Sequence, residues 1–444
     1  MYFSENIENS NFTLEQSVIQ TTTLEDSLTT SNPAEFDQDQ FDSSVMQTYG
    51  RFPIAIKKGE GCRLWDTDGK EYLDFVAGIA TCTLGHAHPA LIAAVTEQIK
   101  QLHHVSNLYY IPEQGQLAEW LVNRSCMDKV FFCNSGAEAN EAAIKLVRKY
   151  AHTHLDKVEN PIILTAKASF HGRTLATITA TGQEKYQKGF GPLFPGFAYV
   201  PYNDITAVEN AITDLDEGTL SRVVGIMIEP LQGEGGVRPG DLEYFIKLRK
   251  ICDENNILLV FDEVQVGVGR SGKLWGYENL GVEPDILTSA KGLAGGIPIG
   301  AMLCKDSCAA FEPGNHASTF GGNPFACAAA LAVLKTLETE RIMQNVRARG
   351  EQLRVRLRAI AQKYSNLFTE VRGWGLINGI EIRSDLDLTS IEVVKALMDE
   401  GLLLAPAGPK VLRFVPPLIV SQAEIDQAVD ILESVIVKLA RVES

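Results

Sequence analysis

The residues with the clearest capacity for chemistry stand at the ends of two apolar runs. Ile257-Leu258-Leu259-Val260-Phe261 leads into Asp262-Glu263-Val264-Gln265, two acids and an amide. Twenty-nine residues after Asp262, the run Asp285-Ile286-Leu287-Thr288-Ser289-Ala290 delivers Lys291 and then Gly292-Leu293-Ala294-Gly295-Gly296. Small residues allow backbone or ligand to approach closely. A lysine held among apolar neighbours has its ammonium disfavoured, which leaves its amine available as a nucleophile. A lone acid at a strand end is ordinarily a solvated terminus. Paired with such a lysine, it completes what pyridoxal phosphate requires: one amine for the aldehyde and one carboxylate to keep the ring nitrogen protonated. The cofactor's phosphate needs N–H donors, and Asn134-Ser135-Gly136-Ala137 joins the apolar run Lys129 to Cys133 to a helical period from Glu138 to Tyr150. A helix N-terminus there would supply the donors without a basic side chain. Ser135 also reads as a simple N-cap.

A competing motif, Gly267-Val268-Gly269-Arg270-Ser271-Gly272, has dinucleotide-binding spacing. That mechanism places its glycines in the turn directly after the strand, with a helix opening onto the pyrophosphate. Asp262 and Glu263 hold that turn and would repel phosphate, and Lys273-Leu274-Trp275-Gly276-Tyr277 is a poor helix opening, so a nicotinamide dehydrogenase is not expected. No metal site is expected either. Gly85-His86-Ala87-His88-Pro89 reads as a turn opening a helix. The eight cysteines, at 62, 82, 126, 133, 252, 304, 308 and 327, never adopt Cys-x-x-Cys spacing and read as reduced thiols.

The elements that must position these groups alternate. Lys129 to Cys133, Ile162 to Leu164, Val223 to Ile228, Ile257 to Phe261 and Ile286 to Thr288 read as buried strands. Helical periods such as Glu138 to Tyr150 and Leu242 to Glu254 lie between them. The pattern predicts an α/β fold around a mostly parallel sheet, with ligands at the carboxyl ends of its strands. After Asn323 longer helices take over, the last opened by the capping box Ser421-x-x-Glu424 with Ile425, Ala428, Val429, Leu432 and Ile436 on one face. The expected organisation is a tail at 1–43, the first part of a small α+β domain at 44–104, a large cofactor-binding domain at 105–330, and the rest of the small domain at 331–444.

Residues 1–43 carry nine acids and no Lys, Arg or His, which predicts disorder and matches neither a secretory signal nor a transit peptide. The cytoplasm is the expected compartment. In 444 residues, 40 basic side chains oppose 56 acidic ones for a net charge of −16, so nucleic acid and anionic membrane are not expected partners. The longest apolar stretch, Phe325 to Leu334, is about half the length of a bilayer span.

The chain resembles the class III (ω-amino acid) aminotransferases of fold type I from about Tyr49 to its end. The resemblance is carried by Leu64-Trp65-Asp66, Gly69 to Phe75, Asn134 to Glu141, Ser169-Phe170-His171-Gly172-Arg173-Thr174, Glu229-Pro230, Asp262 to Gln265, Ser289-Ala290-Lys291-Gly292, Ser318 to Pro324 and Arg413-Phe414-Val415-Pro416-Pro417. It implies a pyridoxal 5'-phosphate-dependent transferase with a large domain and a smaller α+β domain. Lys291 would bind the cofactor's aldehyde carbon and carry the transferred proton, and Asp262 would partner the ring nitrogen. Val264 and Phe170 would flank the ring, Gln265 would reach its phenolic oxygen, and Gly136 and Ala137 would hold the phosphate. Glu263 joins the cofactor-binding set through its place in the motif. Thr319 would reach the phosphate of a neighbouring subunit, which implies a homodimer with shared sites, and Ser318 would touch substrate.

For substrates, the resemblance assigns Arg173 to the donor's α-carboxylate and then to the γ-carboxylate of 2-oxoglutarate. Arg413 would take the α-carboxylate of 2-oxoglutarate, with Glu229 neutralising Arg413 when no second carboxylate is present. Planar guanidinium groups suit this bidentate task. The segment from Ser169 to Thr174 with Gly182-Gln183, Tyr186 and Gly189-Phe190-Gly191-Pro192 favours N-acetylornithine as donor, in arginine biosynthesis. Ornithine, succinylornithine and 4-aminobutyrate remain alternatives, as does a non-catalytic cofactor-binding regulator. Two positions depart from the family: Ala137, where Thr is frequent, and Val266, where Thr is also common.

Overall fold

A computed structural model describes residues 36–155, 158–216 and 221–442. Its centre is a sheet of seven strands: β1 (Lys129–Cys133), β2 (Asn160–Ala166), β3 (Phe197–Val200), β4 (Ser221–Ile228), β5 (Leu258–Asp262), β6 (Ile286–Ser289) and β7 (Gly300–Cys304). They lie in the order β1-β7-β6-β5-β4-β2-β3, and every pairing is parallel except the two made by β7. Alternate side chains of a strand point to opposite faces. Leu259 and Phe261 therefore pack with Tyr244, Phe245 and Leu248 of the helix Leu242–Asn255, whereas Val260, Ile286 and Met302 pack with Ala142, Ala143, Leu146 and Val147 of the helix Gly136–His154. Both faces are covered, which is why these strands read as unbroken apolar runs. Small residues bring helix and sheet close: a Cβ on Gly225 of β4 would lie 2.7 Å from Val147 Cγ1.

Two four-stranded sheets lie in the same unit. Ile56–Glu60, Arg63–Asp66 and Glu71–Asp74 pair antiparallel, and Leu402–Leu403 adds in parallel to the last of them, joining segments far apart in the sequence. The other sheet orders Phe368–Trp374, Ile377–Ile382, Val411–Phe414 and Ala405–Pro406, all antiparallel, and its strand Val411–Phe414 carries Arg413. The capping box forms as read: Ser421 Oγ accepts the Glu424 N–H at 3.2 Å, and the Glu424 carboxylate accepts the Ser421 N–H at 2.8 Å. The helix Gln422–Val442 then buries Ile425, Ala428, Val429, Leu432 and Ile436. His88 caps the helix Pro89–Gln101, accepting the Ala90 N–H at 3.3 Å, as the turn reading expects.

Contacts gather residues 56–444 into one unit, within which the expected boundaries near 104 and 330 both fall, and residues 1–55 into another. Most of the acidic leader, residues 1–35, lies outside the described residues. Its end differs from the disorder that composition predicts through residue 43. Gln38–Ser44 is helical, because Asp37 Oδ1 accepts the Gln40 N–H at 3.0 Å and so caps the first turn. Arg51 lies over the rings of Phe41 and Tyr49 in the same unit, 5.0 and 5.5 Å from their centroids.

Candidate active site

The carboxyl ends of β1, β2, β4, β5 and β6 open on one cavity of about 360 Å³. β5 ends at Asp262, which is buried and lines the cavity. Asp262 Oδ2 accepts from His171 Nδ1 and Asn140 Nδ2, both at 2.8 Å, and Oδ1 accepts the Val264 N–H at 3.0 Å. β6 delivers Lys291, whose φ of 43° places it in the left-handed region, at a cost of about 1–2 kcal/mol for a residue with a Cβ. Strain of this kind collects where function fixes a side chain. Lys291 is part-buried and faces the cavity that it lines. Burial pulls its ammonium below the ordinary lysine range and the charge of Arg413 adds to this, while Glu234, Asp262 and Glu229 pull the other way.

β1 runs through Asn134 and Ser135 into the helix Gly136–His154, and Ser135 Oγ accepts the Glu138 N–H at 3.2 Å. The first intrahelical bond is Ala139 N–H to Ser135 C=O. The N–H groups of Gly136 and Ala137 precede it and are left for a ligand, so Ser135 serves as N-cap while the helix end keeps its free donors. Gly136 is required by a close approach, since a Cβ there would lie 2.6 Å from Val264 Cγ1. Val264 and Phe170 both line the cavity. Arg173 lines its exposed side, its guanidinium carbon 4.0 Å from the Tyr186 ring centroid and 5.4 Å from that of Phe170.

The structure corrects the partner expected for Arg413. Glu234, not Glu229, meets the guanidinium: Arg413 Nη1 lies 2.5 Å from Glu234 Oε1 and donates to Gln265 Oε1 at 3.1 Å. Gln265 Nε2 faces the same Glu234 oxygen at 3.5 Å. Burial raises the Glu234 carboxyl, but Arg413, by charge and hydrogen bond, together with Lys291 and Gln265 outweighs it, and the net shift is downward. Glu229, at the end of β4, lines the cavity with Oε2 buried and unpartnered. Burial, with the charge of Asp262 beside it, pushes its carboxyl well above the usual range against the pull of the Phe170 N–H and of Lys291, which does not suit it to balance a cation. Arg413 itself does not line the cavity, whereas Glu234 and Gln265 do.

Three further expected site residues also stand apart from the cavity. Glu263 alternates to the opposite side of the strand end, where its carboxyl accepts the N–H groups of Gly276 and, at 2.7 Å, Tyr277. Its placement among the cofactor-binding residues is therefore corrected to a structural one. Ser318 and Thr319 do not line the cavity of their own chain. Ser318 Oγ accepts from Asn134 Nδ2 at 3.2 Å, and Thr319 is exposed. Sequence reading gave no role to Asn140, His171 or Glu234. The first two lay inside motifs already singled out, and Glu234 stands in the turn Gly233-Glu234-Gly235-Gly236, a glycine-rich loop that could have drawn attention to it.

A buried amine, a buried carboxylate on a neighbouring strand and free helix N-terminal donors form a donor set that fits pyridoxal phosphate. The chain belongs to the class III aminotransferases, pyridoxal phosphate-dependent enzymes of fold type I, whose family model matches residues 44–436. It is 74% identical over 406 residues to the acetylornithine aminotransferase of Synechocystis sp., covering 91% of this chain and 94% of that one. The acetylornithine aminotransferase of Nostoc sp. is also 74% identical, over 398 residues, covering 90% of this chain and 93% of that one. Among solved structures, the ornithine aminotransferase of Toxoplasma gondii superposes with a TM-score of 0.85 at 32% identity, covering 95% of this chain and 99% of that one. The N-acetylornithine aminotransferase of Stenotrophomonas maltophilia superposes with a TM-score of 0.77 at 37% identity, covering 89% and 98%.

Proposed function

We propose that this enzyme transfers the distal amino group of N2-acetyl-L-ornithine to 2-oxoglutarate, giving N-acetyl-L-glutamate 5-semialdehyde and L-glutamate, a step of arginine biosynthesis. The observation that carries this reading is the pair of guanidinium sites, one open and one closed. Arg173 stands exposed at the cavity, while Arg413 is held behind Glu234. A donor with a single carboxylate needs one arginine and a neutralised second. A dicarboxylate acceptor needs both, and displaces Glu234 to reach Arg413. The names of the similar enzymes support acetylornithine as donor.

Bound pyridoxal phosphate supplies an aldehyde that takes up the amine and a ring that draws electron density from the reacting carbon. The N–H groups of Gly136 and Ala137 would bind its phosphate, and Asp262 would hold a proton on its ring nitrogen. Val264 and Phe170 confine the ring, and Gln265 serves its phenolic oxygen. Lys291 Nζ, its ammonium disfavoured by burial, accepts a proton from the donor carbon that bears the amine.

The working form is proposed to be a homodimer in the cytoplasm. Leu108, Tyr109, Tyr110 and Phe320 are exposed apolar side chains on this chain, and Phe320 adjoins Thr319, which would then serve the neighbour's phosphate with Ser318 touching its substrate. The eight unbonded thiols suit a reducing compartment.

The reading is tested by kcat/KM for acetylornithine against free ornithine with 2-oxoglutarate as acceptor. Acetylornithine is expected to lead by about tenfold or more, the scale on which one buried charge or polar group decides selectivity. Equal values would overturn the assignment of donor.

A further inference from the structure

Asp262 is fixed from behind by a buried network that the functional reading does not use. A carboxylate offers about four acceptor positions. Its own chain fills three of them on Asp262, two on Oδ2 from His171 Nδ1 and Asn140 Nδ2, and one on Oδ1 from the Val264 N–H. The position left over is on Oδ1. Asn140 is satisfied at every polar atom: its amide donates also to the His171 carbonyl at 2.7 Å, and its Oδ1 accepts from Thr288 Oγ1 at 2.7 Å. The His171 backbone is held in turn by Thr181 Oγ1, which accepts its N–H at 2.9 Å. Asn140, His171 and Thr288 are all buried.

One atom in this network has no partner, His171 Nε2. With Nδ1 carrying the hydrogen that Asp262 accepts, Nε2 of a neutral ring is a bare lone pair. Protonating it would bury an N–H donor with nothing to accept it, which is unfavourable. The imidazole thus serves Asp262 as a hydrogen-bond donor through Nδ1.

We infer that His171 and Asn140 are positioning residues acting through Asp262: they direct the one free acceptor position of Oδ1 to the cavity and leave the carboxylate's charge intact for the protonated ring nitrogen of bound pyridoxal phosphate. The inference rests on the reading of Asp262 as the partner of that nitrogen. Both side chains line the same cavity as Asp262, so their replacement acts at the site rather than from a distance.

The test uses holoenzyme and two readouts other than turnover: the pH midpoint of the bound cofactor's visible absorbance, and the rate at which cofactor leaves. H171F removes the donor and keeps the bulk, H171N keeps an N–H near the place of Nδ1, N140D turns a donor into an acid at constant shape, and D262N is the control. H171F and N140D are expected to shift the midpoint by about one pH unit in the direction D262N shifts it, and to release cofactor about tenfold faster. H171N restores most of both. Wild-type behaviour of H171F and N140D beside a shifted D262N overturns the inference and leaves the reading of Asp262 standing. An unshifted D262N overturns that reading itself. Should H171F fail to fold, N140D decides on the same two readouts, and an unchanged N140D overturns the inference.

Discussion

Two glutamates five residues apart in the chain face one cavity with their carboxyls shifted in opposite directions, and neighbours rather than residue type decide it. Glu234 lies against a buried guanidinium and its carboxyl is pulled down, whereas at Glu229 burial and the charge of Asp262 outweigh the Phe170 N–H and Lys291 and push the carboxyl up. Gln imitates a neutral carboxyl, so E229Q is expected to change either half reaction by no more than about twofold. E234Q leaves Arg413 with an uncompensated charge, and the rate ratio of the 2-oxoglutarate half reaction to the acetylornithine half reaction is expected to rise about tenfold. Single-turnover rates of the two halves measure both, and the opposite pattern would return the gate to Glu229. Lys291 gives a prediction with a definite sign. Because its ammonium is pulled below the ordinary lysine range, uptake of cofactor by apoenzyme should accelerate with rising pH and level off below the ordinary lysine value of about 10.4. A plateau at or above that value would show that burial does not act on this amine.

At the scale of elements, the strand ends and the helix start set the cofactor's seat by how closely they approach. Gly136 begins its helix against Val264, and a methyl group there would have to displace a side chain that lines the cavity. G136A is expected to weaken pyridoxal phosphate binding by about tenfold with little loss of helix stability, since alanine favours helix. Equilibrium titration of apoenzyme checks the affinity, and circular dichroism checks the helix. Glu263 makes the complementary case. Burial pushes its carboxyl up to about 8 against the pull of two backbone N–H donors that open the helix Tyr277–Leu280. E263Q points one amide N–H₂ at a donor, and is expected to cost about 1–3 kcal/mol of stability while leaving the cofactor spectrum unaltered. A lowered melting temperature with an unaltered spectrum separates this structural role from a role in cofactor binding.

At the scale of the whole molecule, Ser318 and Thr319 lie outside their own cavity, beside the exposed ring of Phe320. If two chains share their sites, F320D should dissociate the dimer and lower activity about tenfold or more, because a charge replaces an apolar contact in an interface. Sedimentation velocity read beside specific activity checks this, and fully active monomers would end the shared-site reading.

How much of this was legible in sequence follows from the range of the interactions concerned. The strands at Lys129 to Cys133 and at Leu258 to Asp262, the N-cap at Ser135 and the box at Ser421 and Glu424 are set by periodicity and by contacts within three or four residues, and the sequence alone determined them. So was the pairing of a lysine and an acid at two strand ends, because a parallel sheet carries both to one edge. Only the tertiary structure decided that Arg413 meets Glu234 rather than Glu229, that Glu263 turns away from the cavity, and that Asn140 and His171 grip Asp262. Those are contacts across 13 to 179 residues of chain, chosen by strand alternation and by which carboxyl meets a buried guanidinium, and neither is written in the local order of side chains.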